Sequence, residues 1–360
     1  MIGADGNPSD YNAFFPGLSV KYEMDLIYNA TVKMVQPIYM GGKIRAGYKM
    51  AQIGRDMALL NRRISESDVV IQTSCAYADL VRAYELHKVA VSYNSMLDEL
   101  KRAVEKAYKA GTKSKNEVLK VEVKLNESIL KLRRAENAIR LATMNLCHYI
   151  GRPLDEKINV NTDLPKAEFE TSNATDISSR PEVDLLANRS ELMRHKVDMA
   201  RSERLPQMGL AVQYGYMNGL KINGTRLFDR WSLLTGLQIS VPLFNFGNQS
   251  NKVRVAKVQY EQSLAEESEA KELLELEAVQ MKNRLDEAEL ELHLAEISLT
   301  SAKENLRVSR RQYEVGAESL SDHLEAQVLW QQAETALVEA RISRFLRSLE
   351  YRKSVGRVIG

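Results

Sequence analysis

Between residues 274 and 306 the apolar positions form one stripe: Leu274, Ala278, Met281, Leu285, Ala288, Leu292, Ala295, Leu299, Ala302 and Leu306. The steps alternate four and three, a 3.5-residue period that winds helices into a left-handed coiled coil. One heptad position is Leu at 285, 292, 299 and 306, and the other is Ala at 288, 295 and 302, so large and small residues alternate and neighbours can approach closely. A second apolar set, Leu276, Val279, Leu290, Leu294 and Ile297, lies on another face. Two apolar faces imply more than one neighbour, which predicts a barrel of helices rather than an isolated pair. The corresponding seam earlier in the chain (Val69, Thr73, Ala76, Leu80, Ala83, His87, Ala90, Asn94, Leu97) is more polar. Residues 43–108 and 248–313 each run about 65 residues without proline. At about 1.5 Å per residue such helices are roughly 100 Å long. They end in Tyr-x-x-Gly, at Tyr108–Gly111 and Tyr313–Gly316, and glycine just past a periodic run marks a helix C-terminus. A second helix follows each time, at about 115–149 and 320–355, giving two helical hairpins with matching tips.

Residues 206–244 follow a different period. Trp231, Leu233, Thr235, Leu237, Ile239, Val241 and Leu243 alternate with Ser232, Leu234, Gly236, Gln238, Ser240 and Pro242. An earlier run alternates Met208, Leu210, Val212, Tyr214 and Tyr216 with Gln207, Gly209, Ala211, Gln213 and Gly215. Alternation of this kind predicts strands with one apolar face, here joined by a polar loop at 218–230 that contains Asn223-Gly224. Each run has about ten residues, the length at which a tilted β-strand spans a bilayer.

The whole pattern occurs twice. Pro37 pairs with Pro242, Gly42 with Gly247, Tyr108 with Tyr313, Gly111 with Gly316 and Gly151 with Gly356, always at an offset of 205. Residues 37–151 thus repeat as 242–356 with no insertion, a duplicated module of fixed length. The first copy keeps one strand, about Leu26 to Ile38, but nothing in it matches the 206–217 strand or the helix at about 181–204 that opens Arg180-Pro181-Glu182. Residues 1–17 read as loop. The simplest expectation is that Met1 lies inside an outer loop of a longer protein, whose targeting signal, one helix and one strand precede it.

Composition narrows the function classes. A charged content of 27% with net charge +2 lacks the basic excess of a nucleic-acid protein. Only seven Phe and two Trp argue against one large globular core. No run of about 18 apolar residues is present, so no transmembrane helix is predicted. Cys75 and Cys147 each lie 36 residues from Gly111, at equal heights if Gly111 is an apex; a disulfide there requires Cα atoms within about 7 Å. His87 has no partner at ligand spacing and reads as a seam residue, and His323 is expected to face a neighbouring helix. No nucleotide-binding glycine loop, metal-spaced His/Cys cluster or serine elbow occurs, so the chain reads as a non-enzyme with no cofactor and no metal.

Arg180-Pro181-Glu182, Leu205-Pro206 opening a strand, Val241-Pro242-Leu243-Phe244-Asn245-Phe246-Gly247 closing one, and Tyr313-x-x-Gly316 followed by Leu320-x-x-x-Leu324 together resemble the TolC-like outer membrane efflux protein family. The resemblance implies a mainly α fold with a small β part. Long antiparallel coiled-coil hairpins would form an α-barrel, and strands would join a trimeric transmembrane β-barrel. It implies a homotrimeric, passive exit duct in the outer membrane of a Gram-negative bacterium, with its helical part in the periplasm and its barrel against outer-membrane lipid. Such ducts serve tripartite efflux pumps or type I secretion, with an inner-membrane transporter supplying energy and a periplasmic adaptor docking on the helical tips.

Carried over residue by residue, the adaptor-docking tips are Gly111 and Gly316 with Ala110, Thr112, Val315 and Ala317. The family's acidic constriction falls on Asp322 and Glu325, whose spacing of three places both on one helix face. The tyrosine and acid that hold the closed tip fall on Tyr313 and Glu117. An arginine of the family's best-known member is Glu318 here, which removes one salt bridge from that scheme.

On this reading the chain divides into a first-copy outer loop and strand without its partner strand (1–42), a first helical hairpin (43–151), an equatorial linker (152–180), a helix (181–205), a transmembrane β-hairpin (206–244), a second helical hairpin (245–356) and a tail (357–360). The alternative is a periplasmic or cytosolic coiled-coil scaffold or adaptor without a membrane barrel. It accounts for the heptads but not for the strands or the matched tips.

Overall fold

The computed structural model describes residues 22–158, 160, 161, 163, 164, 176–222, 225, 226 and 230–358. Their order is β1 (Tyr22–Tyr39), α1 (Lys43–Lys109), α2 (Lys115–Tyr149), α3 (Pro181–Ser202), β2 (Gln207–Ile222), β3 (Thr225–Arg226), β4 (Arg230–Ser240), α4 (Asn248–Glu314) and α5 (Leu320–Ser354). Helices α1 and α4 have 67 residues each, and α2 and α5 have 35 each. The loop expected at 1–17 and the turn at 223–224 lie outside the described residues. The fold is mainly helical with a small antiparallel sheet, and it divides into two compact units: the described residues up to Arg55 with Arg189–Leu264, and Asp56–Asn188 with the remainder from Ala265.

The first unit holds the sheet. Strand β2 is central, antiparallel to β1 on one side and to β4 on the other, while the short β3 pairs with its far end. Strand β1 begins earlier than the alternation suggested and lies along β2 of the other copy, from Tyr22 opposite Ile222 to Tyr39 opposite Met208. The register sorts the side chains. Val32, Tyr214 and Leu233 fall in one row, Met34, Val212 and Thr235 in the next, and Gln36, Leu210 and Leu237 in the third. Successive residues of a strand point to opposite faces, so these rows make one largely apolar face. Lys33–Gln213–Leu234, Val35–Ala211–Gly236 and Pro37–Gly209–Gln238 make the other, which is smaller and more polar. Val32 is 75% exposed, Leu233 66% and Leu237 58%, so none of the described residues covers the apolar face. At one end of that face Trp231 stacks on Tyr214, with ring centroids 5.1 Å apart, and tilts against Tyr216.

The strand-to-helix junctions share a conformation across the two copies. Gly41 and Gly42 have φ of 60° and 89°, and at the same offset Phe246 and Gly247 have 46° and 76°. Gly41 is obligatory, because a Cβ there would lie 2.7 Å from Ser202 O. Phe246 is 91% exposed, and it bears the backbone cost of a left-handed residue, about 1–2 kcal/mol.

In the second unit the coiled-coil seam is occupied as the heptads require. Ala278, Leu285, Ala288, Ala295 and Leu299 of α4 are buried, and Ala295 and Leu299 pack on Leu337 and Ala340 of α5. The second α4 set is not covered: Leu276, Leu290, Leu294 and Ile297 are all exposed. On α1 the seam begins later than expected, since Val69 is exposed while Ala76, Leu80 and Ala83 are buried. Both cysteines are free thiols; Cys147 is fully buried with Sγ 3.7 Å from Glu156 O.

The segment entering α3 is tied down by Arg180, 3% exposed, whose Nη1 donates to Glu277 Oε2 at 2.6 Å and to Ser354 O at 3.3 Å. Pro181 opens α3 at the position where a missing N–H costs nothing, and Glu182 and Asp184 complement the helix N-terminus. Ile177 packs on Ala278 and Val355 beside it.

Candidate functional site

Each hairpin turns at a glycine in the left-handed region, Gly111 and Gly316, both with φ of 76°. The same bonds close both helix ends. Gly111 N–H donates to Tyr108 O and Thr112 N–H to Ala107 O, while Gly316 N–H donates to Tyr313 O and Ala317 N–H to Gln312 O. This is the glycine-terminated helix end in which a left-handed residue lets orphan carbonyls find donors. A Cβ at either glycine would meet nothing within 4 Å, so φ and not space selects glycine. Ala110, Gly111, Thr112, Val315, Gly316 and Ala317 are all exposed, leaving a nearly bare backbone at both tips.

The helices that leave the tips are capped differently. Ser114 and Glu117 form a reciprocal capping box: Ser114 N–H donates to Glu117 Oε2 at 2.9 Å and Glu117 N–H donates to Ser114 Oγ. In the second copy Ser319 Oγ accepts from Asp322 N–H at 3.3 Å. Asp322 and Glu325 are both exposed on α5, and neither has an ion-pair partner among the described residues.

The structure places Glu117 and Tyr313 in one network without a direct bond. Glu117 is committed to Ser114 N–H, which holds its carboxyl below the usual carboxylate range, with help from Lys113. Lys113 Nζ lies 3.2 Å from Glu117 Oε1 and 4.8 Å from the centroid of the Tyr313 ring. The first tip therefore reaches Tyr313 through a cation over its ring. Tyr313 is half-buried, and burial raises its phenol above the ordinary value. A second cross-hairpin contact, Lys120 Nζ to Ser321 Oγ at 3.2 Å, lies nearby.

Beneath these contacts Tyr93, Leu97, Leu100 and Val104 of α1 pack with Val121 and Leu125 of α2 and Leu320 and Leu324 of α5. His323 faces α4, stacked on Tyr313 and within reach of Ser309. His323 thus faces a neighbouring helix as expected, whereas its individual partners and the place of Lys113 emerge only in the fold. Lys113 had a local signal, four residues before Glu117; the contacts of His323 depend on packing between helices.

The model of the outer membrane efflux protein family matches residues 22–152 and 177–357, covering both hairpins and the sheet. This chain belongs to that family. It is 21% identical to the pyoverdine export outer membrane protein OpmQ of Pseudomonas aeruginosa, over 96% of this chain and 70% of the relative. It is 19% identical to the outer membrane protein TolC of Vibrio cholerae, over 81% of this chain and 68% of the relative. Among solved structures, the Campylobacter jejuni CmeC outer membrane channel superposes with a TM-score of 0.79 at 18% identity, covering 94% of this chain and 78% of CmeC. VceC of Vibrio cholerae gives 0.78 at 16% identity, with 93% and 87% covered. The family consists of outer-membrane channel proteins, and the helical hairpins and small antiparallel sheet are its fold.

Proposed function

We propose that this chain is a protomer of a homotrimeric outer-membrane exit duct that serves a tripartite efflux pump or a type I secretion system. The observation that carries this reading is the uncovered apolar face of the sheet. A water-soluble protein covers such a face, whereas in a bilayer it is the face that lipid requires. Strands β1 and β4 are the edges of the described sheet, and unsatisfied edges do not persist in lipid, so neighbouring protomers would supply the missing pairings. The exposed second stripe of α4 suits a neighbouring protomer in the same way. A periplasmic adaptor would dock on the exposed tips around Gly111 and Gly316, and an inner-membrane transporter would drive the load. Threefold symmetry would stack Asp322 and Glu325 into two acidic rings, which favour cations.

The test is fractionation and reconstitution. The protein should be found in the outer membrane as a heat-modifiable trimer and should give a cation-selective conductance in planar bilayers. A monomer in plain buffer that neither binds detergent micelles nor conducts would refute the reading.

The tip geometry adds a sharper expectation. Gln at the third helical position still completes a capping box, so Glu117→Gln removes the grip on Lys113 while sparing the helix start. An exposed ion pair is worth about 0.5–1 kcal/mol, a shift of about two- to fivefold in open population. Glu117→Gln should therefore raise single-channel conductance, while Tyr313→Phe, which keeps the ring under Lys113, should leave it near the parent value. Equal opening by both variants would make the phenol hydroxyl the fastener instead.

A further inference from the structure

Ser309 lies in the last turns of α4, and His323 and Gln327 lie in the first turns of α5. His323 is 4% exposed, with Nδ1 3.0 Å from Ser309 Oγ and Nε2 3.0 Å from Gln327 Nε2. One ring nitrogen meets Ser309 of α4 and the other meets Gln327 of α5, and in the neutral ring one of the two donates while the other accepts. The ring thus pins together the two helices that flank Gly316. It also lies parallel to Tyr313, with centroids 5.1 Å apart, the same ring that Lys113 of the first tip covers at 4.8 Å.

We propose that His323 is a positioning residue of the gate: uncharged, it fastens the tip of the second hairpin, and uptake of a proton releases it. The inference rests on the tips being the gate of the proposed duct. Uptake of a proton puts a charge on a ring that is 4% exposed between α4 and α5, and a buried ion is costly. Loosening the tip until water reaches the ring lowers that cost.

Other charged groups bear on the ring from each side. Arg310 and Glu314 come from α4 and Glu318 from the turn, while Glu99 of α1 and Lys303 and Arg307 of α4 line the adjoining groove. Burial, the largest influence, and Arg310 disfavour the charged form; Glu318 and Glu314 favour it; the balance holds His323 below the usual histidine range. For a histidine with a lowered native value, the fastening is complete above the unfolded value of about 6.5 and is lost as pH falls from there through the native value.

The test uses the full chain in planar bilayers. In parallel, spin labels at Thr112 and Ala317, in a Cys75→Ser, Cys147→Ser background, report the separation of the tips. Between about pH 8 and about pH 5, where histidine titrates, the parent should gain conductance and its tips should separate. His323→Phe keeps a stacked ring that cannot take a proton, and should be flat in both measurements. Gln327→Glu gives the charged ring an acceptor and should move the midpoint up by about one pH unit, a tenfold gain in proton affinity. A His323→Phe variant that tracks the parent, or parent tips that ignore pH, overturns the proposal. Tips that respond to pH in a protein that never conducts would sink the duct and leave the node standing; conduction with pH-indifferent tips would sink the node alone.

Discussion

Leu237→Arg will keep the chain out of the membrane, and Gln238→Arg, one residue along the same strand, will not. Leu237 lies opposite Leu210, which lies opposite Gln36, in the same apolar face as Val32 and Leu233. Its side chain is 58% exposed, with no cover from the described residues. Gln238 lies opposite Gly209 on the other face, where Lys33, Gln213 and Ser240 already stand. The two-residue period alone sends the two guanidinium groups to opposite sides. Arginine on the lipid face near the bilayer centre costs about 2–4 kcal/mol per chain. Leu237 is six residues from the Trp231 cluster at one end of the face and seven from the Phe244–Phe246 pair beyond the other end, so it sits near the middle. Three copies in a trimer would triple the penalty, whereas Gln238→Arg adds charge to a face that would line water. The readout is the heat-modifiable trimer band from outer-membrane fractions, together with folding of purified protein into vesicles. Equal behaviour of the two variants would mean that the sheet does not separate lipid from water.

Periodicity made the helices legible because a coiled-coil seam is a local code. Every stripe position from Leu274 to Leu306 is buried or half-buried, and the glycines that end the helices sit where the left-handed residues fall. Alternation predicts strands of about ten residues, shorter than β1 and β2. Beyond Tyr216 the residues Met217-Asn-Gly-Leu-Lys-Ile222 lose strict alternation, yet β2 continues to Ile222 because β1 and β3 both pair with its far end. Pairing partners are non-local, and β propensity yields to them.

At the tip, the resemblance implied a direct bond between Tyr313 and Glu117, and the structure interposes Lys113. A competing signal was present in Ser114-Lys-Asn-Glu117, the capping-box spacing, which turns a glutamate back onto its own helix start. The contacts of His323 had no such signal. Its neighbour Asp322 is exposed while His323 is buried, a difference set by the rotation of α5 against α4 and not by either residue type.

The duplication supplies a matched control for the second large effect, at Gly356. Gly151 and Gly356 occupy equivalent positions after α2 and α5, with φ of 70° and 74°. Alanine at either site takes on a left-handed backbone, at about 1–2 kcal/mol. Only one site also has a wall. A Cβ at Gly356 would stand 2.6 Å from Ser179 C and O and 2.8 Å from Arg180 N, whereas one at Gly151 would meet nothing within 4 Å. Those obstructing atoms are backbone and cannot swing aside. Moving them drags Arg180, whose buried guanidinium is fixed to Glu277 and to Ser354 O. Forced overpacking of this kind adds about 1–3 kcal/mol, and loosening the Arg180 contacts adds to it, because a buried charge separated from its partner is costly. Gly356→Ala should therefore lower the denaturation midpoint of the detergent-solubilised protein well below that of Gly151→Ala, with the loss of helix signal as the measurement. If the two variants unfold together, the segment at Ser179 does not press on Gly356, and the second copy ends as loosely as the first.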